Sequence, residues 1–295
     1  MDSSPIVVSN YVILEKAKAY FQLLKFRLSL TVALSGSFGY YLGDRHFEWS
    51  KFLLFSMAGF ILTGGANIVN QIIEKDFDKL MKRTMGRPIP TERVNKVEAA
   101  IFSLMLLVTS FTILWKFSAG AAWVGLLSYI MYGFVYTPLK RVGPIAVLVG
   151  AFPGAFPPMI GWVAATGHFG LEPGILFAIQ FFWQFPHFFA IAWVADEDYK
   201  KAGFRLLPNN GSKDLNTAIQ IMIYTLFLLP LSFVPYQLGM TGLNSAFVAF
   251  GCGILFLAQT FQLMRTCTDK TALKLMFASF IYLPIVQIAF LLDKI

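Results

Sequence analysis

The chain has 295 residues, 57% of them hydrophobic and only 14% charged, with a mean hydropathy of +0.63. A soluble domain carries about 25% charged residues, so this composition excludes a water-soluble globular fold and makes lipid the solvent for much of the surface. The net charge of +8 would suggest a nucleic-acid partner in a soluble protein. Cytoplasmic loops of membrane proteins are rich in Lys and Arg, however, and no nucleic-acid partner is expected.

Residues 1–24 carry Glu15, Lys16 and Lys18. They lack the uninterrupted apolar core and small-residue cleavage site of a signal peptide. This stretch is expected to be an amphipathic lead-in lying on the cytoplasmic membrane face. A spanning helix needs about 20 mostly apolar residues, and nine stretches qualify: 25–43, 50–75, 97–115, 119–138, 143–165, 174–195, 215–236, 241–264 and 273–292. No soluble domain or strong internal repeat interrupts them. The expectation is an all-α integral membrane protein, a single domain over 1–295 with nine transmembrane helices. Cys252 and Cys267 provide neither a disulfide framework nor a ligand pair and are expected to be plain helix residues.

Basic residues set the orientation. Twenty of them fall in the N-terminal arm and in the loops after the second, fourth, sixth and eighth spans, against four on the other side (Arg45, Lys51, Lys116 and Lys294). This asymmetry predicts a cytoplasmic N-terminus and an external C-terminus.

The second span ends in Asn70-Gln-Ile-Ile-Glu74-Lys-Asp76-Phe-Asp78. Acids this close to a membrane are costly and mark function by default. Asn70, Glu74 and Asp78 stand four residues apart. Each step turns only about 40° beyond a full circle, so they line one helix face over about 12 Å. Two carboxylates and an amide oxygen on one face suit Mg²⁺. Asp76 lies about 200° from Glu74 and is expected to point away. Simple helix capping explains these acids poorly, because carboxylates at a helix C-terminus oppose its dipole.

Lys82, Arg83 and Arg87 follow at once. They are either ordinary positive-inside charge or a clamp for phosphate oxygens, for which Arg is well shaped. Beside a metal face, the second reading describes a diphosphate site. Two more polar clusters fall on the same side: Tyr136, Lys140 and Arg141 after the fourth span, and Asp196, Glu197, Asp198, Tyr199, Lys200 and Lys201 after the sixth. Three polar loops above an apolar bundle predict one site with a polar cap and an apolar chamber. His46 and His168 fall in outer loops and are expected to be solvated. His187 sits within the sixth span beside Trp183 and Pro186. It is either a satisfied buried histidine or a cavity-facing group in a span that the proline opens. No CxxCH motif is present, which argues against covalent c-type haem.

The stretch from Asn70 through Asp78 to Arg83-Thr84-Met-Gly-Arg87-Pro88 resembles the first acidic motif and RTxxRP tail of the UbiA-type membrane prenyltransferases. Tyr136-Thr-Pro-Leu-Lys140-Arg141 resembles that family's tyrosine and basic pair. Gly154-Ala-Phe-Pro157-Pro158-Met-Ile-Gly161-Trp162, Trp183-Gln184-Phe-Pro186-His187-Phe and Asp198-Tyr199-Lys-Lys-Ala-Gly203 look like its haem-farnesylating branch. One departure stands out. Many members carry a second DxxxD motif after the sixth span, whereas Val194 and Ala202 flank Asp198 at that spacing. Asp198 is then the best single second-site candidate, with Asp196 and Glu197 behind it.

The resemblance implies a nine-helix bundle around a central cavity in a bacterial inner membrane. It implies Mg²⁺-dependent transfer of the farnesyl group of farnesyl diphosphate to a vinyl group of haem B, giving haem O for haem-copper oxidases. The implied metal ligands and catalytic residues are Asn70, Glu74, Asp78 and Asp198. The implied diphosphate contacts are Lys82, Arg83, Arg87, Tyr136, Lys140, Arg141 and Lys201, and the haem contacts His187 and Trp183. Haem B enters as a substrate, and a haem A synthase is a candidate partner. Two alternatives stay open: a UbiA-type enzyme acting on an aromatic quinone precursor, and a membrane transporter or haem-transfer protein.

Overall fold

The computed structural model describes residues 5–295, with side chains from Leu14 onward except at 209 and 210. Residues 1–4 of the expected lead-in lie outside the described residues. The rest of that lead-in is helix α1 (Pro5–Leu23). Its Ala19 and Leu23 are buried against Ile68, Ile89, Val94 and Ala99, and Lys16 pairs with Glu98 at 2.8 Å. Then come α2 (Phe26–Gly43), α3 (Trp49–Ile73), the short α4 (Lys75–Asp78), α5 (Lys96–Phe117) and α6 (Ala119–Ile130). Asn95 and Glu98 form the reciprocal capping box that starts α5. The fourth span continues from α6 through a π-helical turn, Met131–Tyr136, into α7 (Thr137–Leu139). There follow α8 (Ile145–Thr166), α9 (Leu171–Val194), α10 (Asp196–Lys201), α11 (Pro208–Gly211), α12 (Leu215–Leu226), α13 (Leu228–Leu231), α14 (Val234–Gln237), α15 (Leu243–Thr266) and α16 (Asp269–Leu292).

Among the described residues there is no strand, and eight segments are long and apolar enough to cross a membrane. Helix α2 makes the ninth element of the bundle. It is 18 residues long but more polar, with Ser29, Ser35 and Ser37 all buried. The expected seventh span is not one continuous helix: it runs as α12, α13 and α14, with turns at Phe227 and Ser232–Phe233. Pro230 and Pro235 lie within this stretch, and each removes a backbone donor. Cys252 is a helix residue as expected. Cys267 is not: it caps α15 with a left-handed backbone, φ 46°.

In lipid the helices associate through close packing rather than hydrophobic burial, and small residues let backbones approach. Helices α2 and α8 show this best. A Cβ on Gly39 would overlap the Pro158 carbonyl, and one on Gly161 would overlap the Gly36 carbonyl. Helix α8 contains Pro153, Pro157 and Pro158 without breaking. Pro157 and Pro158 cannot donate to the carbonyls of Pro153 and Gly154. Ser128 Oγ bonds the first at 3.3 Å, and Gln180 Nε2 bonds the second at 2.8 Å. Side chains from neighbouring helices thus take over where the backbone fails. The two ends of the bundle differ. At one, Lys294 Nζ donates to the carbonyls of Tyr41 and Asp44, and Ser245 N donates to Asp293. The other end carries the ionic cluster described next.

Candidate active site

Helix α3 stops at Ile73, and Glu74 (φ −88°, ψ 6°) joins it to α4. The i to i−4 bonding nevertheless carries through, since Glu74 N donates to Asn70 O at 3.0 Å and Asp78 N to Glu74 O at 2.8 Å. The predicted face survives the joint. Asn70, Glu74 and Asp78 are buried, at 1%, 5% and 0% exposure, while Asp76 is exposed.

Each of the three holds a basic group. Lys140 Nζ donates to Glu74 Oε1 at 2.8 Å. Arg87 Nη1 bonds both Asp78 oxygens, at 2.9 and 2.8 Å. Lys25 Nζ donates to Asn70 Oδ1 at 2.9 Å, and Asn70 Nδ2 donates to Thr137 Oγ1 at 3.1 Å. Thr84 Oγ1 donates to the Asp78 carbonyl at 2.9 Å, tying the RTxxRP segment under the acids. Three basic side chains therefore gather around two carboxylates and an amide. Burial opposes ionisation of Glu74, but Lys140 and Lys25 outweigh it, and its carboxyl sits below the usual range. Burial pushes the Asp78 carboxyl up, against the pull of Arg87. Burial, reinforced by the charges of Arg87 and Lys140, lowers Lys25 well below the ordinary lysine value.

The π-helical turn presents Tyr132 and Tyr136 beside this cluster, with ring centroids 5.4 Å apart. Such turns recur at functional sites. Lys140 Nζ lies 4.7 Å from the centre of the Tyr136 ring, and Tyr132 OH donates to Asn67 Oδ1 at 3.3 Å. The Tyr136 ring packs so closely on Gly150 of α8 that a Cβ there would meet it.

The remaining predicted diphosphate contacts are looser. Lys82, Arg83, Arg141 and Lys201 are exposed. Arg141 lies over the Phe77 ring at 4.3 Å, beside a small cavity lined by Glu74, Phe77, Thr137 and Phe204. The Tyr136–Arg141 cluster thus joins the acidic stretch directly. The one after α9 joins it only at its edge, through Arg83 over Tyr199 (6.0 Å) and Phe77 against Phe204 (5.5 Å). Asp198 pairs with Lys201 and Asp196 with Lys200 on α10 itself. Among the described residues, no three His, Cys, Asp or Glu side chains converge as a ready metal cage. The donor chemistry still fits Mg²⁺. Two carboxylates and an amide oxygen are hard ligands on successive turns, and Mg²⁺ usually takes one or two carboxylates, with water and substrate phosphate completing its shell.

His187 is buried in α9. Pro186 does not open the helix, which is continuous from Leu171 to Val194. Helical prolines in membranes are tolerated when neighbours re-satisfy the backbone. His187 Nδ1 lies 2.8 Å from Ser279 Oγ of α16. The Trp183 ring stacks on the imidazole (centroids 4.6 Å, 17°), and the Trp183 indole donates to the Ser279 carbonyl at 2.9 Å.

Sequence reasoning missed Lys25, Thr84, Thr137, Tyr132 and Ser279. A lysine just before a span reads as ordinary positive-inside charge, and a buried hydroxyl leaves no pattern. The only signal for Lys25 was its position, immediately before the most polar of the nine spans.

Residues 30–283 match the UbiA prenyltransferase family. A protein named protoheme IX farnesyltransferase from Cytophaga hutchinsonii is 57% identical over 280 residues, covering 94% of this chain and 98% of its own. Its counterpart from Flavobacterium psychrophilum is 44% identical over 281 residues, covering 92% and 93%. A digeranylgeranylglyceryl phosphate synthase structure has the same fold, with a TM-score of 0.80 at 22% identity over 95% of this chain and 98% of its own. So does an Archaeoglobus fulgidus UbiA homologue bound to DMAPP and Mg²⁺, with a TM-score of 0.67 at 15% identity over 92% and 98%. By sequence and by fold, this chain is a member of the UbiA prenyltransferase family.

Proposed function

We propose that this protein transfers the farnesyl group of farnesyl diphosphate to a vinyl group of haem B, giving haem O. The observation that carries this reading is the 57% identity, over nearly the whole of both chains, to a protein named for that reaction. The paired acids and bases at one end of the bundle supply a matching site. Family membership leaves the transporter alternative without support.

The diphosphate binds at the Glu74–Asp78 end. Asn70, Glu74 and Asp78 would hold Mg²⁺, with Asp198 as a further donor brought in from α10. When bound, the ion neutralises charge developing on the departing phosphate oxygens. Arg87 and Lys140 then turn from the acids, and Lys25 from Asn70, to the phosphate oxygens, and Lys82, Arg83, Arg141, Tyr136 and Lys201 close the rim. The C1–O bond breaks with its electron pair on the diphosphate. The vinyl π pair forms the new C–C bond, and water adds to the cation left on the porphyrin side chain, releasing a proton. The apolar interior of the bundle delays earlier capture of the allyl cation by water. His187 and Trp183 face the acceptor, and no protein nucleophile is required.

The charge asymmetry supports a site on the cytoplasmic side, with the C-terminus outside, in what we read as a bacterial inner membrane. A haem A synthase is the partner that would take the product. The test of acceptor class is competition. Purified protein receives labelled farnesyl diphosphate and Mg²⁺ with haem B and an aromatic quinone precursor together. Label is expected in the haem alone; label in the aromatic acid overturns the reading.

A further inference from the structure

Ser279 stands on the side of α16 that meets α9. Its hydroxyl donates to the Met276 carbonyl, one turn back, at 2.5 Å. The same oxygen lies 2.8 Å from His187 Nδ1. A serine hydroxyl has one hydrogen to give. With that hydrogen committed to Met276, Ser279 Oγ can only accept from the imidazole. The ring proton is therefore on Nδ1, and Nε2 keeps its lone pair.

The ring is also held in place. Trp183 lies flat against one face and is itself anchored on the Ser279 carbonyl. Phe280 meets the ring edge-on at 4.8 Å. Nδ1 makes the ring's one hydrogen bond among the described residues. Nε2 is left without a hydrogen bond among them, and His187 keeps 9% of its surface accessible. An oriented, neutral imidazole with an available lone pair suits a metal ion. It does not suit a carboxylate, which would set lone pair against lone pair.

We propose that Ser279 is a positioning residue: it locks His187 in the Nδ1–H tautomer and presents Nε2 as an axial ligand to the iron of the haem acceptor. This rests on the reading of the acceptor as haem. It selects the iron, not a propionate, as the part of the macrocycle that meets His187. Hydrogen-bond partners of this kind fix ligand orientation and raise ligand basicity, and losing one typically costs 10- to 100-fold in metal affinity. The ligation orients the substrate and involves no change of iron oxidation state.

The experiment uses purified full-length protein in lipid nanodiscs, titrated with ferric haem B without farnesyl diphosphate. The wild type is expected to give the absorption and EPR spectra of imidazole-ligated haem. His187→Ala should lose that signature and regain it with added imidazole. Ser279→Ala should weaken haem binding about 10- to 100-fold and raise the KM for haem while leaving the KM for farnesyl diphosphate unchanged. Ser279→Cys, with a weaker acceptor of similar size, should fall between and keeps the test open if the alanine variant does not fold. Wild-type spectra and haem KM in both Ser279 variants overturn the proposal, as does an imidazole signature that persists in His187→Ala. The two readings fail separately. Ligation spectra that respond to Ser279 in a protein that makes no haem O overturn the assigned reaction. Haem O synthesis with spectra indifferent to Ser279 overturns the positioning role alone.

Discussion

Lys140 places its ammonium 2.8 Å from the Glu74 carboxylate across 66 residues of sequence. Arg87 does the same for Asp78 with two bonds from one nitrogen. Both carboxylates are buried, where an uncompensated charge is costly. Lys140 thus favours the charged form of Glu74, Arg87 holds Asp78 in place, and both bases already stand where a diphosphate would need them.

The acids are separable by substitution. Glu74→Gln and Asp78→Asn should each reduce haem O formation by at least about 10²-fold, as expected when a charged group acting in a transition state is lost. Asp76→Asn should keep most activity, because Asp76 points to solvent. Both key changes are near-isosteric, so the variants should remain monodisperse in detergent. Equal losses at all three positions, read by mass analysis of extracted haem, contradict the one-face geometry.

Arg83 and Arg87 lie four residues apart but differ in kind. Arg87→Ala strands the fully buried Asp78 and should destabilise the protein by about 3–5 kcal/mol, visible as a lowered thermal transition. Arg83 is exposed over Tyr199. Arg83→Ala should leave the transition in place and raise the KM for farnesyl diphosphate, with that for haem unchanged. Identical thermal shifts for the two variants would show that the Asp78 pair carries no special stability.

Lys25 is a buried lysine whose hydrogen-bond partner is an amide, not a carboxylate. Such a group suits an incoming anion. Lys25→Met, similar in length, should lower kcat/KM for farnesyl diphosphate by about 10²–10³, the scale for losing one donor to a developing anion. A variant with wild-type kinetics removes Lys25 from the site.

Topology is open to direct test. A reporter active only in the cytoplasm should work when fused before Met1 and be silent when fused after Ile295. Activity at the C-terminal fusion reverses the orientation drawn from the basic residues.

Much of this arrangement was legible before any coordinates. Nine hydrophobic runs matched nine helical elements, because lipid forces backbone bonds to close within each span. Asn70, Glu74 and Asp78 were legible through their spacing alone, and the exposure of Asp76 followed from the same angle. Other features depend on long-range packing and leave no local trace. Lys140 was legible as part of a polar cluster at the same end, but not as the partner of Glu74. The π-helical turn at Met131–Tyr136 sits in an ordinary apolar run, and it brings Tyr136 against Gly150 of α8. Pro186 read as a helix opening, yet α9 continues through it. Asp198 was legible as an acid near the site but not as a partner of Lys201 on its own helix.

Haem O formation itself is decided by mass analysis of extracted haem. Purified protein is incubated with haem B, farnesyl diphosphate and Mg²⁺ in ¹⁸O-labelled water, with parallel samples containing EDTA or Glu74→Gln protein. The expected product is a haem heavier by one farnesyl group and one ¹⁸O-labelled hydroxyl, absent with EDTA, restored by excess Mg²⁺ and absent with the variant. Unmodified haem B recovered from the complete reaction, by protein that still releases diphosphate from farnesyl diphosphate, would contradict it.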